Sequence, residues 1–548
     1  MASLKHFAHK YLPVFFLAIY STLIILPNLG SSALQGDEGA DTFISTTILK
    51  FNLPSHSDGI NSSMLFADVH DGLFVYRPWV AYYIQSFSLY LFGQTTFAAR
   101  LPFALIGIFT VIFLYRFALK FTGQRFVAFL ASFFLASSVP SLIFFRTARY
   151  VGMPILLSIL LLYFYVDIYK NKKWNPVGLI ITSIIFFHTM YVEFAGVIAG
   201  VLIHFFIHID EVLPENRKRA YWAAAITGIF CIPWLIFISP VFPAVYKYLA
   251  SMSVLIDLTW QGAFKRFLGF IFEINNYFFP FIFLPLLFLR RIRPFINQVS
   301  LLLLCITTTL LAALTLSMPL LQYITAAFPL FFLLLAILLT NIFSKYPLTR
   351  SLLVAILITS NWIHVGLFSP LKIVLKDHPS WFQKSPYFKN VYDTFLREIN
   401  FKSIYFDYLY EINHNYKGPL DKIVTFFKTH GNLGDTCYID NEGESLGYYT
   451  GMKIIHRDDI SELDKPDWIV LRGDYRQAVE EKPSSPIAKN IRKILSKHSY
   501  SKIELNAPAI RVNNAYDIQI HLFRSPSSAD KVLIYKRTDY KKIKSTER

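Results

Sequence analysis

The stretches LPFALIGIFTVIFLYRFAL, residues 101–119, and FVAFLASFFLASSVPSLIFF, residues 126–145, decide what kind of protein this is. Each is apolar over roughly the ~20 helical residues that cross a hydrocarbon core of ~30 Å. In lipid the backbone must close its hydrogen bonds within the segment, so such runs become helices. Arg116, Lys120 and Arg125 gather where the two runs meet, which marks that turn as cytoplasmic. Working outward, similar runs lie at 11–29, 153–169, 176–192, 194–209 and 220–240. Others follow at 267–289, 298–317, 324–343 and 350–368, making eleven. Lys5 and Lys10 precede the first run and no small-residue cleavage site follows it, so a retained helix is expected.

Basic clusters recur at alternate connections: Lys170, Lys172 and Lys173; Arg217, Lys218 and Arg219; Arg290, Arg291 and Arg293; Lys345 and Arg350. With eleven spans, these clusters and the N-terminus share one face, and the chain beyond residue 370 lies on the other. Residues 79–93 are apolar but short. Read as a span they would split the clusters between two faces; a helix lying in the interface keeps the rule. The expectation is a polytopic α-helical membrane protein with membrane domain 1–369 and a soluble α/β domain over 370–548. In that reading the N-terminus is cytoplasmic and the C-terminal domain lies on the external face.

Composition agrees, since 54% hydrophobic residues exceed what an ordinary soluble chain of 548 residues carries. The net charge of +17 lies largely in short connections, with no basic stripe or RNA-binding motif, so no nucleic-acid partner is expected. Cys231 and Cys305 sit in apolar runs and Cys437 is alone in the polar tail, which builds neither a disulfide framework nor a zinc pattern.

The loop between the first two long runs concentrates acid: Asp37, Glu38, Asp41, Asp58, Asp68 and Asp71. Asp37 and Glu38 follow the first run across a turn-prone Gly30-Ser31-Ser32 stretch. Carboxylates at a membrane surface that face a cavity lose water, which suits proton abstraction. The plainer alternative is that Asp37 or Glu38 caps a helix over 42–53. Arg77, Arg100, Arg146 and Arg149 lie on the same expected external face, against the positive-inside trend. An anionic ligand would explain them, as would headgroup contacts or ion pairs with the loop acids. His188, Tyr191 and Glu193, and further on Glu273, Asn275 and Asn276, add polar groups near or within the bilayer, where ionisable residues are functional candidates.

These residues fall into an ordered set. Gly36-Asp37-Glu38-Gly39 is followed by Asp68-Val69-His70, Arg77-Pro78, Tyr82-Tyr83 and Leu91-Phe92-Gly93. Phe97-Ala98-Ala99-Arg100-Leu101-Pro102, Arg146 to Arg149 and Gln322-Tyr323 come next, with Pro329 beyond. Over residues 10–345 the chain resembles the GT-C superfamily of lipid-dependent glycosyltransferases, in the branch of protein O-mannosyltransferases and lipid A aminoarabinose transferases. The resemblance implies inverting sugar transfer from a polyprenyl-phosphate-linked donor to a glycan, lipid or protein acceptor on the external face. It implies a catalytic role for Asp37 as general base with Glu38 as its partner, and donor-phosphate contacts by Arg77, Arg100, Arg149 and Tyr323. Asp68, His70, His188 and Glu193 are further candidates for the acceptor or donor site. Departures are visible: Tyr150-Val151-Gly152 follows Arg149 where relatives often carry an acid, and Gln322 stands where Arg is usual.

A phosphate leaving group balanced by arginines requires no metal; Asp68, His70 and Asp71 are hard donors that could take a divalent ion. In the tail, a helix near 420–430 and strands at 436–439, 468–471 and 531–535 indicate a mixed sheet, read as an acceptor-recognition or stabilising lid. Residues 536–548 are expected as a solvated basic tail. The rival class is a lipid-linked-glycan transporter or flippase, but the internal repeats and broken helices in matching halves that it calls for are absent from the sequence.

Overall fold

The structure, a computed structural model, describes residues 2–63, 72–170, 174–244, 259–278, 296–316, 319–359, 403–414, 417–456, 459–480, 485–510, 518–521, 523 and 530–539. Helix α1 (Ala2–Ile25) is followed by α2 (Asp37–Phe51), α3 (Val80–Phe92) and α4 (Thr96–Thr122). Next come α5 (Arg125–Ser137), α6 (Val139–Arg146) and α7 (Met153–Tyr165). Among the described residues, four helical segments, 96–122, 150–169, 214–238 and 325–342, are long and apolar enough to cross a membrane. The chain is therefore an integral membrane protein.

The run expected at 126–145 is broken. Segments α5 and α6 meet at a 64° bend, because Ser138 is extended and Pro140 has no N–H to continue the ladder. Other apolar helices are shorter, among them α8 (Val177–Phe187), α9 (Tyr191–Ile207) and α10 (Pro347–Thr359). The expected run 267–289 is described as helix only to Tyr277, and 350–368 only to Thr359; the remainder of each lies outside the described residues. Helix α9 packs along the helix Ile296–Ala313, and its Gly196 and Gly200 make that possible. A Cβ at either would come within 2.6 Å of the backbone Cα of Thr309 or Cys305. Small residues four apart let helices approach where apolar lipid offers no hydrophobic drive.

Helix α3 covers the segment expected in the interface. Thirteen residues reach only about 20 Å, short of a bilayer core. Its polarity is inverted: Gln85, Ser86 and Ser88 are buried, while Phe87, Tyr90, Leu91 and Phe92 are exposed. The inward face meets α2, where Gln85 bonds Ser45 at 2.6 Å and Thr42 at 2.9 Å.

The C-terminal region holds a five-stranded sheet, ordered β2-β1-β3-β5-β4. Strands β1 (Thr436–Ile439), β2 (Lys453–Ile455) and β3 (Trp468–Leu471) are parallel; β4 (Tyr500–Pro508) and β5 (Lys531–Arg537) complete it antiparallel. A helix over Pro419–His430 packs Leu420, Ile423 and Phe427 on one face. Three strands and this helix lie where the sequence placed them; β2 and β4 were not anticipated. One expectation is corrected. Lys536 and Arg537 belong to β5, not to a solvated tail: Lys536 pairs with Trp468 and Ser501, and Arg537 meets Asp467 at 3.0 Å.

This sheet region grips the loop after α1. The Asn61 side-chain amide covers the β2 edge as a neighbouring strand would, Nδ2 donating to Met452 O at 3.0 Å and Oδ1 accepting from Ile454 N at 2.7 Å. Asp421 accepts from Ala33 N at 2.7 Å, and the Tyr449 hydroxyl accepts from Leu34 N at 2.9 Å. Gly39 of α2 passes so close to Ser445 that a side chain there would overlap it.

Candidate active site

The acidic helix starts earlier than the capping alternative allowed. It begins at Asp37, with Gly36 at φ 53° as its cap residue, a left-handed value that glycine takes without strain. Asp37 and Glu38 thus lie in the first turn, where the helix dipole favours negative charge. Asp41 is one turn further along, on the same face as Asp37.

Asp37 and Asp41 together engage Arg77 and Arg149. Arg77 donates from Nη1 to Asp41 Oδ1 at 2.5 Å and from Nη2 to Asp37 Oδ2 at 3.2 Å. Arg149 donates from Nη2 to Asp37 Oδ2 at 2.7 Å and from Nε to Asp41 Oδ2 at 3.3 Å. Its Nη1 reaches the Gln322 amide oxygen at 2.9 Å. A neutral acceptor suits that place, since an arginine there would oppose Arg149 directly. The Tyr82 hydroxyl donates to Asp41 Oδ1 at 2.9 Å, and Tyr150 lies against both guanidiniums, 5.6 Å from each. Burial alone would lower the Arg77 pKa; the carboxylates of Asp41 and Asp37 outweigh it and hold the guanidinium firmly protonated. Tyr323 lies within electrostatic reach of Tyr150, Tyr76, Arg149 and Asp37, and burial pushes its pKa up, keeping it a hydroxyl donor.

Glu38 and Arg100 form a separate, sealed pair. Arg100 bonds Glu38 through Nε at 2.9 Å and Nη2 at 2.8 Å, and its remaining donors go to Leu29 O, Ser32 and Ala33 O. All five guanidinium N–H groups thus have acceptors within the protein. Glu38 also accepts from Ala148 N at 2.7 Å and is 1% exposed. Arg100, expected at the donor phosphate, and Glu38, expected as the partner of Asp37, thus bind each other and tie the loop to α4 and to the segment after α6. Arg146 is likewise structural, donating to the carbonyls of Ile25 at 2.6 Å and Pro27 at 2.9 Å, which otherwise end α1 unsatisfied.

Two further candidates lie elsewhere. Glu193 is buried on Thr325 Oγ1, at 3.0 Å, and on the Ala326 backbone N–H, so it caps the turn that opens the next helix. The His188 ring packs on Phe187 and Trp234, at 5.0 and 5.6 Å between centroids. Asp68 and His70, with Asp71, lie outside the described residues. Among the described residues no group of three His, Cys, Asp or Glu could hold a metal ion. Sequence reasoning passed over Asp41, Tyr82, Tyr150 and Gln322 as site residues; the i, i+4 spacing of Asp37 and Asp41 was the available signal.

Residues 76–237 match the family described as dolichyl-phosphate-mannose-protein mannosyltransferase. An uncharacterized protein of Aquifex aeolicus (strain VF5) is 26% identical over 250 residues, covering 43% of this chain and 47% of that one. The chain thus spans about half the length of the curated relative it matches. Nearly the whole chain is similar in fold to ArnT from Cupriavidus metallidurans. The apo state of that protein aligns with TM-score 0.57 at 12% identity, covering 97% of this chain and 98% of the other. Its undecaprenyl-phosphate-bound state aligns with TM-score 0.53 at 12% identity, over 95% and 97%. At that identity the likeness is one of fold. The GT-C resemblance is carried by both the family match and the fold.

Proposed function

We propose that this protein is a membrane glycosyltransferase that moves a sugar from a polyprenyl-phosphate donor to an acceptor on the external face of the membrane. The observation that carries the reading is the pairing of a part-exposed carboxylate, Asp37, with two largely buried arginines, Arg77 and Arg149. Guanidinium groups held in a low-dielectric setting balance the charge that develops on a departing lipid phosphate. The carboxylate beside them accepts the proton of the attacking acceptor group.

In the step we envisage, the acceptor oxygen forms a bond to the anomeric carbon as the bond to the phosphate oxygen breaks. The bonding pair leaves with the lipid phosphate, and the acceptor proton passes to Asp37 and then to water. Attack opposite the leaving group inverts the anomeric centre. Glu38 and Arg100 position the loop, and Tyr323 and Gln322 border the phosphate site. The sheet region, bound to the loop through Asn61, Asp421 and Tyr449, is suited to hold the loop and border the acceptor entry. The match to a mannosyltransferase family and the ArnT-like fold support the lipid-phosphate donor class.

The test compares cell-envelope glycans by mass spectrometry in a deletion strain and in one carrying Asp37→Asn. Loss of the same glycan species in both is expected; an unchanged profile in both sinks the transferase reading. With the purified chain, Arg77→Ala should weaken use of the lipid donor, and native-like donor dependence would remove its assigned role.

A further inference from the structure

Asp37 and Asp41 hold the same two guanidiniums unequally. The Asp41 side chain is 3% exposed and is bound on both oxygens, by Arg77 and Tyr82 on Oδ1 and by Arg149 on Oδ2. The Asp37 side chain is 37% exposed, and its Oδ2 accepts from Nη2 of Arg77 and from Nη2 of Arg149. A phosphate oxygen that takes the place of the part-exposed Asp37 carboxylate would meet those Nη2 groups. Displacing Asp37 returns a carboxylate to water, whereas displacing Asp41 would strand a buried charge.

We infer that Asp37 is an exchangeable counter-ion and Asp41 a fixed one: a lipid phosphate takes the place of Asp37 on the two Nη2 groups, while Asp41 keeps both arginines aimed. The inference rests on the donor-phosphate reading of this site. With no phosphate bound, the Asp37 lone pairs nearest the arginines are engaged. When phosphate seats, that oxygen is released to accept a proton, so donor binding itself frees the base. Asp41 acts through the arginines and is a positioning residue. Tyr82, buried on α3, is its anchor.

The two carboxylates allow a charge-matched test with the full chain in detergent micelles, using undecaprenyl phosphate as the probe in equilibrium binding. Asp37→Asn removes the competitor, so affinity should rise about three- to tenfold, up to ~1.4 kcal/mol. Asp41→Asn removes the same charge but loosens the arginines, and affinity should fall. Equal tightening by both variants would show only a net-charge effect and overturns the inference, as does unchanged or weaker binding by Asp37→Asn. Should Asp41→Asn not fold, Tyr82→Phe replaces it: weaker binding is expected, and tightening like that of Asp37→Asn overturns the fixed role of Asp41. Failure to bind by the native chain overturns the donor reading together with this inference. Binding that Arg77→Ala weakens but Asp37→Asn does not tighten overturns the inference alone.

Discussion

Asp37 and Glu38 are adjacent in the chain, yet they anchor two arginine clusters of opposite character. Consecutive helical residues point about 100° apart. Glu38 turns toward α4, where Arg100 and the Ala148 N–H bind it, and it is 1% exposed. Asp37 turns toward α3 and the turn at 321–323, where Arg77 and Arg149 leave its side chain 37% exposed. Identical chemistry thus serves two ends. A sealed ion pair whose donors all end on protein acceptors holds a loop in place, while an open pair can exchange one partner for a ligand. The triad of Arg472, Asp440 and Glu442 in the sheet region is buried too, with Arg472 and Asp440 both at 0% side-chain exposure. Glu442 there is pushed up by burial and pulled back by Arg472.

The contrast can be broken at its strongest point first. Asp37→Asn should cut transfer by about 10²–10⁴-fold, the range for a lost general base. An in vitro rate within a few-fold of native would deny the open cluster its chemistry. Arg100→Ala, by leaving Glu38 buried without its charge partner, should cost about 3–5 kcal/mol of stability. Thermal unfolding in detergent would read this, and a native-like transition would mean that the second cluster is not sealed. Glu38→Gln keeps shape but weakens charge-assisted bonds, and a loss of about 1–3 kcal/mol is expected by the same measurement.

Smaller effects sharpen the picture at the loop's far side. Asn61→Ala should cost about 1–3 kcal/mol, because it leaves buried backbone groups of β2 without partners. Hydrogen exchange should then rise at Ile454, and protection equal to native would show that the loop does not depend on this contact. Tyr449→Phe removes a hydroxyl that meets both Leu34 N and Thr96 Oγ1, at 2.9 and 2.6 Å. Its loss should cost about 0.5–1.5 kcal/mol, read as a modest fall in the unfolding temperature.

Hydropathy by itself was enough to place most of the apolar helices and to separate the polar tail from them, because lipid forces long apolar segments into helices wherever they pack. It did not reveal the break at Ser138, although Pro140 was its visible cue, nor β4, whose alternating exposure depends on β5 beside it. The site was half legible. Arg77 and Arg149 meet Asp37, with Tyr323 within electrostatic reach of Asp37 and Arg149. Arg100 and Glu38, singled out by the same resemblance, pair with each other, and Glu193 and His188 were chosen as polar groups near the bilayer. Such features cannot tell a ligand contact from a helix cap, since both use the same polar groups near the membrane surface.

The residues alone therefore determined that this chain is a polytopic membrane protein with a resemblance to the GT-C glycosyltransferases, with an acidic loop ahead of its long apolar helices and a mixed sheet after them. Only the tertiary structure decided which acid serves which arginine. Tyr150-Val151-Gly152 follow Arg149 without an acid; its counter-ions, Asp37 and Asp41, arrive from a helix more than a hundred residues earlier. Pairing at that distance depends on how helices cross and which face each buries, and a charge at a given position carries no record of the neighbour that packing will bring to it.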